Sequence, residues 1–171
     1  MVEEPTPTTS AHAEERPTQG PTEQKGTDEA TQYLADLNSA DERVRARAAQ
    51  ALQQMGHAQA LDACLQTLND DPDPLHLDFT PAVWCLRQIG RPALPPLLDR
   101  LASDDRMTRM HALRAVEWIT KSYFGFDGQA WQAGGLERWM QWWQTIGYDP
   151  EATAAKRLEA VNHLREWLHQ Q

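Results

Sequence analysis

Between residues 28 and 120 one pattern of apolar residues, turn residues and closing positions appears three times, and a period of that length leaves few folds open. The first copy runs Tyr33-Leu34-Ala35-Asp36-Leu37, then Asp41-Glu42-Arg43-Val44-Arg45, then Ala48-Ala49-Gln50-Ala51-Leu52, and closes on Met55-Gly56. The second holds Leu65 and Leu68, an acidic proline turn at Asp70-Asp71-Pro72-Asp73-Pro74, then Ala82-Val83-Trp84-Cys85-Leu86, closing on Ile89-Gly90. The third holds Leu97, Leu98 and Leu101, a turn at Ser103-Asp104-Asp105, then Thr108-Arg109, Ala112, Ala115-Val116 and Ile119. With Leu52, Leu86 and Val116 in register the steps are 34 and 30 residues. Each step has room for two short helices.

The second helix of the first copy places Val44, Ala48, Ala51, Leu52 and Met55 on one face, the spacing of a single buried stripe. Asp41 and Asp104 are placed to cap the free amides of a first turn, and Gly56 and Gly90 to end helices in a left-handed conformation. Pro92, Pro95 and Pro96 fall at the start of the third pair, where missing amides cost least. The fold class expected is all-α: a solenoid of about three helix pairs.

Asp41-Glu42-Arg43-Val44-Arg45 with Ala48-Ala49, Ala51-Leu52 and Met55-Gly56 resembles the second helix of a HEAT repeat. Gly90-Arg91-Pro92-Ala93-Leu94-Pro95-Pro96-Leu97-Leu98 resembles the turn and first helix of the next. The period of about thirty residues is similar to the compact HEAT-like repeats first associated with phycobilin lyases and met in many bacterial proteins. The resemblance implies a protein-binding scaffold, and alternatively a lyase-like or chaperone-like subunit acting on a chromophore-bearing protein. In the middle copy Asp78-Phe79 stand where Val44-Arg45 stand in the first, which interrupts any arginine ladder.

After Thr120 the repeat fails, and Tyr123-Phe124-Gly125-Phe126-Asp127 leads to Trp131, Leu136, Trp139, Trp142, Trp143 and Ile146. A terminal repeat needs a cover for its apolar side, so residues 121–171 read as a Trp-rich helical cap. Its last helix, from about Pro150 to His169, is expected to bury Ala154, Leu158, Val161, Leu164, Trp167 and Leu168 and to pack back on the Trp helix. At the other end, residues 1–27 are rich in Thr, Pro and Glu, and ordering them would cost entropy that no burial returns. They read as a disordered acidic arm ahead of a repeat domain over 28–120.

Residues 1–30 carry seven acids against two bases, five of the nine net negative charges of the chain. That balance argues against nucleic acid as a partner, because phosphate binding needs a surplus of Lys and Arg on one face. No apolar run approaches bilayer length and the N-terminus lacks a signal-peptide pattern, so no membrane partner and a cytoplasmic location are expected. Cys64 and Cys85 fall at core-facing positions and read as free structural thiols. The histidines show no metal-ligand spacing, and no phosphate loop or nucleophile elbow appears. No cofactor, metal or enzymatic activity is expected.

In a solenoid of this kind the second helices line the inner face. The positions one step round from the buried stripe are Arg47, Gln50 and Gln54, then Trp84 and Gln88, then His111, Arg114 and Trp118. Trp and Arg are the residues most enriched at binding hot spots, so Arg47, Gln50, Trp84, Gln88, His111, Arg114 and Trp118 are the expected partner-binding set. The equivalent Arg45 and Arg109 are expected to pair with acids of the turns, such as Asp41 and Asp105, and to fix how one pair stacks on the next.

Overall fold

The structure, a computed structural model, describes the backbone from residue 21 and side chains from residue 26 to the C-terminus. The part of the expected acidic arm in residues 1–20 lies outside the described residues. The first helix begins at Pro21, so the stretch up to residue 27 is helical.

Three helix pairs follow one another: α1 (Pro21–Asp36) with α2 (Glu42–Gln54), α3 (Ala60–Gln66) with α4 (Pro81–Ile89), and α5 (Leu94–Leu101) with α6 (Arg106–Lys121). A 3-10 turn at Ser122–Phe124 leads into α7 (Gly135–Ile146) and α8 (Ala154–His169). The described residues thus form an all-α, solenoid-like chain. The second helices α2, α4 and α6 pack directly on one another, while the first helices touch each other far less. The row of second helices is therefore the shorter, inner arc.

Local chemistry sets these boundaries. Asp41 accepts the Arg43 amide at 2.9 Å and opens α2. At α6 the cap is Asp105, which accepts the Thr108 amide at 2.7 Å, one residue later than the Asp104 expected. Gly90 closes α4 at a φ of 74°, a conformation that costs other residues a Cβ clash. Pro95 follows Leu94 inside the first turn of α5, where no backbone amide is needed.

The middle pair is the irregular one. With Leu52, Leu86 and Val116 level, α4 lacks the first turn that α2 and α6 possess, and it starts only at its Thr80 cap, whose hydroxyl accepts the Val83 amide at 3.2 Å. A long α3–α4 loop replaces that turn. Leu52, Leu86, Leu97, Leu101 and Val116 are fully buried in one core that runs through all three pairs. Cys64 and Cys85 are buried in it as free thiols, and contact with the Cys85 sulfur together with burial pushes the Cys64 thiol up.

The cap departs from expectation in its register. α8 stands mainly on α5 and touches α7 less, so it extends the outer row of helices. Its buried face is Arg157, Ala160, Val161 and Leu164, while Leu158 is 47% exposed and Ala154 is exposed, contrary to the expected stripe. The Trp helix seats itself against the end of α6 instead: Trp139 Nε1 donates to Thr120 Oγ1 at 3.2 Å and Trp142 meets Phe124 at 5.0 Å between centroids. Leu136, expected on the packed face, is 39% exposed. Gly135 starts α7 under the Phe124 carbonyl, which a Cβ would approach to 2.4 Å.

Candidate partner-binding face

The inner row places the expected residues in three different environments. Trp84 is 41% exposed, and Arg47 and Gln88 are exposed on either side of it along the row. Gln50 is half-buried and shares a cleft of about 350 Å³ with Asp71, Pro72, Phe79 and Trp84. These four form an accessible surface.

His111 does not belong to it. The ring is 1% exposed, with Nδ1 2.7 Å from Asn69 Oδ1 and Nε2 2.8 Å from the Leu77 carbonyl. The missing first turn of α4 opens a gap between pairs, and His111 fills it and pins the α3–α4 loop to α6. Arg114 is likewise engaged, with Nε donating to Asp78 at 2.8 Å and Nη1 to Glu117 at 3.2 Å. Burial pushes the Glu117 carboxyl above its ordinary range, against the pull of the Arg114 charge. This ion pair holds the same loop and leaves the guanidinium little capacity for a partner.

Trp118 is half-buried, and its surroundings contain the residues that sequence reasoning missed. The Arg87 guanidinium carbon lies 4.7 Å from the Trp84 ring centroid and 4.0 Å from that of Trp118. The Lys121 ammonium lies 4.9 Å from Trp118 and 4.9 Å from Trp139, and Trp139 stacks on Trp143 at 5.7 Å with 17° between planes. A strip of alternating indoles and cations, Trp84, Arg87, Trp118, Lys121, Trp139, thus crosses from the middle pair to the cap. Such contacts contribute about 0.5–1 kcal/mol at exposed sites and more when desolvated. Burial lowers the pKa of both Arg87 and Lys121. The signal was legible as two Trp-x-x-cation spacings, Trp84 to Arg87 and Trp118 to Lys121, each placing indole and cation on one helical face.

Beside this strip a cleft of about 360 Å³ is lined by Arg87, Arg91, Trp118, Tyr123, Phe126 and Asp127, among others. Arg87 Nη2 donates weakly across it to the Gly128 carbonyl at 3.4 Å. Among the described residues no group of three or more His, Cys, Asp or Glu could hold a metal ion, and no helix is long and apolar enough to cross a membrane.

The arginines at the turns are placed for stacking. Arg45 donates to the Ser39 and Ala40 carbonyls of its own turn and grips Asp70 of the next pair. Arg109, 7% exposed, donates to the Ser103 and Asp104 carbonyls and, through Nε, to the Pro150 carbonyl of the cap at 2.8 Å. Carbonyls and Asp70 thus replace the expected partners Asp41 and Asp105. Arg157 adds a rung that the sequence did not suggest, donating to the Ala152 carbonyl at 2.6 Å with Asp104 3.8 Å away.

A comparison with protein families agrees with the succession of helix pairs: the model of HEAT repeats matches residues 27–117, just over half of the chain. The chain belongs to the HEAT-repeat family. The HEAT match runs from within α1 to within α6 and stops at residue 117, ahead of Trp118 and the cap. No curated protein and no solved structure matches the chain. HEAT repeats commonly serve as protein-interaction scaffolds.

Proposed function

We propose that this chain is a non-enzymatic scaffold that holds a segment of another protein, in the cytoplasm, along the inner face of its HEAT pairs. The observation that carries the reading is Trp84, a large aromatic left 41% exposed on the inner arc beside the Arg87 guanidinium. An exposed indole next to a cation has the composition of a binding hot spot. Arg47, Gln50 and Gln88 flank it and supply polar rim contacts. The steps of 34 and 30 residues support placing the repeats with the compact type met in phycobilin lyases.

Trp84→Ala tests the reading because at 41% exposure the ring gives up only its contacts with Phe79 and Arg87, whereas the half-buried Trp118 has ring contacts with Phe126, Arg87 and Lys121. The partner, identified from the source cell by cross-linking and mass spectrometry, binds Trp84→Ala about thirtyfold more weakly if the indole is a hot spot of about 2 kcal/mol. The circular-dichroism melt stays close to that of the parent. Unchanged affinity in a folded variant would put the partner elsewhere.

A further inference from the structure

Arg87 and Lys121 stand among indole rings, and neither makes an ion pair among the described residues. Two acids of the same face, Asp78 and Glu117, are taken by Arg114. The indoles cover the faces of the two cations, and burial makes each charge harder to keep. The open cleft beside Arg87 adds the exposed Arg91, which reaches the Gln171 oxygen at 3.3 Å, and one acid, Asp127, whose carboxylate is taken up by the Gln129 and Ala130 amides. A chain with a net charge of −9 therefore keeps a cationic aromatic strip open to an anionic group.

The chain also carries the complementary segment. Residues 1–20 hold Glu3, Glu4, Glu14 and Glu15 against the single base Arg16, and they enter the fold at Pro21, the start of α1. A short turn makes α1 antiparallel to α2, so Pro21 lies at the end of the solenoid where α2, α4 and α6 finish. Arg87, Arg91, Lys121 and the open cleft lie toward that same end. Neighbouring helices are about 8–10 Å apart, so the strip is about 30 Å away. Twenty residues reach at most about 70 Å.

We propose that residues 1–20 dock in cis, through their glutamates, on the Arg87–Lys121 strip and act as a built-in competitor for the inner face. The proposal rests on the reading of that face as the binding surface, yet its test needs no partner. The segment offers little apolar surface, so the contact is electrostatic and weak. Tethering raises its effective concentration to the millimolar range, which makes a weak contact populated in cis and still displaceable. Salt weakens it, because the Debye length falls from about 10 Å at 0.1 M to about 3 Å at 1 M.

The indole N–H signals of the seven tryptophans in a ¹⁵N-labelled full chain read the contact directly. Changing Glu3, Glu4, Glu14 and Glu15 to Gln leaves every side chain of the helices untouched. It shifts the Trp84 and Trp118 signals, leaves Trp167 in place, and removes most of their response to about 1 M NaCl. A synthetic peptide of residues 1–20, added in excess to the Gln variant, returns both signals toward the parent positions. Coincident Trp84 and Trp118 signals in parent and variant at low salt would overturn the proposal. So would hexaglutamate shifting parent and variant equally, which would mean that the strip is vacant in the parent and open to foreign acidic segments. Partner capture by Trp84→Ala is independent of these outcomes, so the two readings fail separately.

Discussion

Arg45 grips Asp70 across the boundary between the first and second pairs with two parallel N–H···O bonds, from Nε and Nη2, each 2.7 Å long. The same guanidinium holds the Ser39 and Ala40 carbonyls, and Arg109 repeats the offsets on Ser103 and Asp104 before reaching the Pro150 carbonyl. At these two junctions one side chain reads its own turn and the next. Lysine cannot reproduce a planar fork, so Arg45→Lys lowers the melting temperature, as does Asp70→Asn. The double variant loses less than the sum of the two, which a thermal double-mutant cycle measures. Arg109→Ala, at a buried site, destabilises by about 2–3 kcal/mol because three carbonyls lose their donor.

His111 is the lock on the irregular middle repeat. His111→Leu leaves the Leu77 carbonyl and Asn69 without their ring partner, at a cost of about 1–3 kcal/mol. The effect is local: hydrogen exchange accelerates at the amides of the α3–α4 loop, such as Phe79, which donates to the His76 carbonyl at 2.8 Å. Amides of α2 exchange as before at matched stability. Uniform acceleration would show that His111 is only a core residue.

Tyr148 gives the fold an alkaline limit. Its hydroxyl donates to the Leu101 carbonyl at 2.7 Å, and burial lifts its pKa from 10.0 to about 12. The folded state keeps the proton longer than the unfolded chain, so this stabilisation is complete below pH 10 and is lost as pH rises through about 12. Two units correspond to about 2–3 kcal/mol. Stability measured by urea titration falls across that window. Tyr148→Phe starts lower and shows a flatter dependence.

In the first pair the Asp41 cap was readable but the stripe of α2 only in part: Ala48 and Leu52 are buried as expected, while Met55 is 42% exposed, Val44 and Ala51 are half-buried, and Ala46 and Ala49 enter the core instead. The Gly90 break was readable because glycine takes up a positive φ that other residues adopt poorly. The lost first turn of α4 was not, since the apolar register of Leu52, Leu86 and Val116 is blind to where a helix begins. The burial of His111 follows from that lost turn, so it was hidden with it. Leu158 looked buried by period alone, but the face of α8 is chosen by its contact with α5 rather than by its sequence. Arg87 was missed because a cation beside an indole reads as solvated surface until a second indole, Trp118, arrives from the next pair.

The inner face as the binding surface is tested most directly by a photo-cross-linking residue placed at Gln88, on the exposed inner arc, and compared with the same residue at Asp62, exposed on the outer helix α3. In the source cell the account predicts one discrete adduct at position 88, lost when Trp84→Ala is added, and no matching adduct at position 62. An adduct at 62 with none at 88 would contradict it.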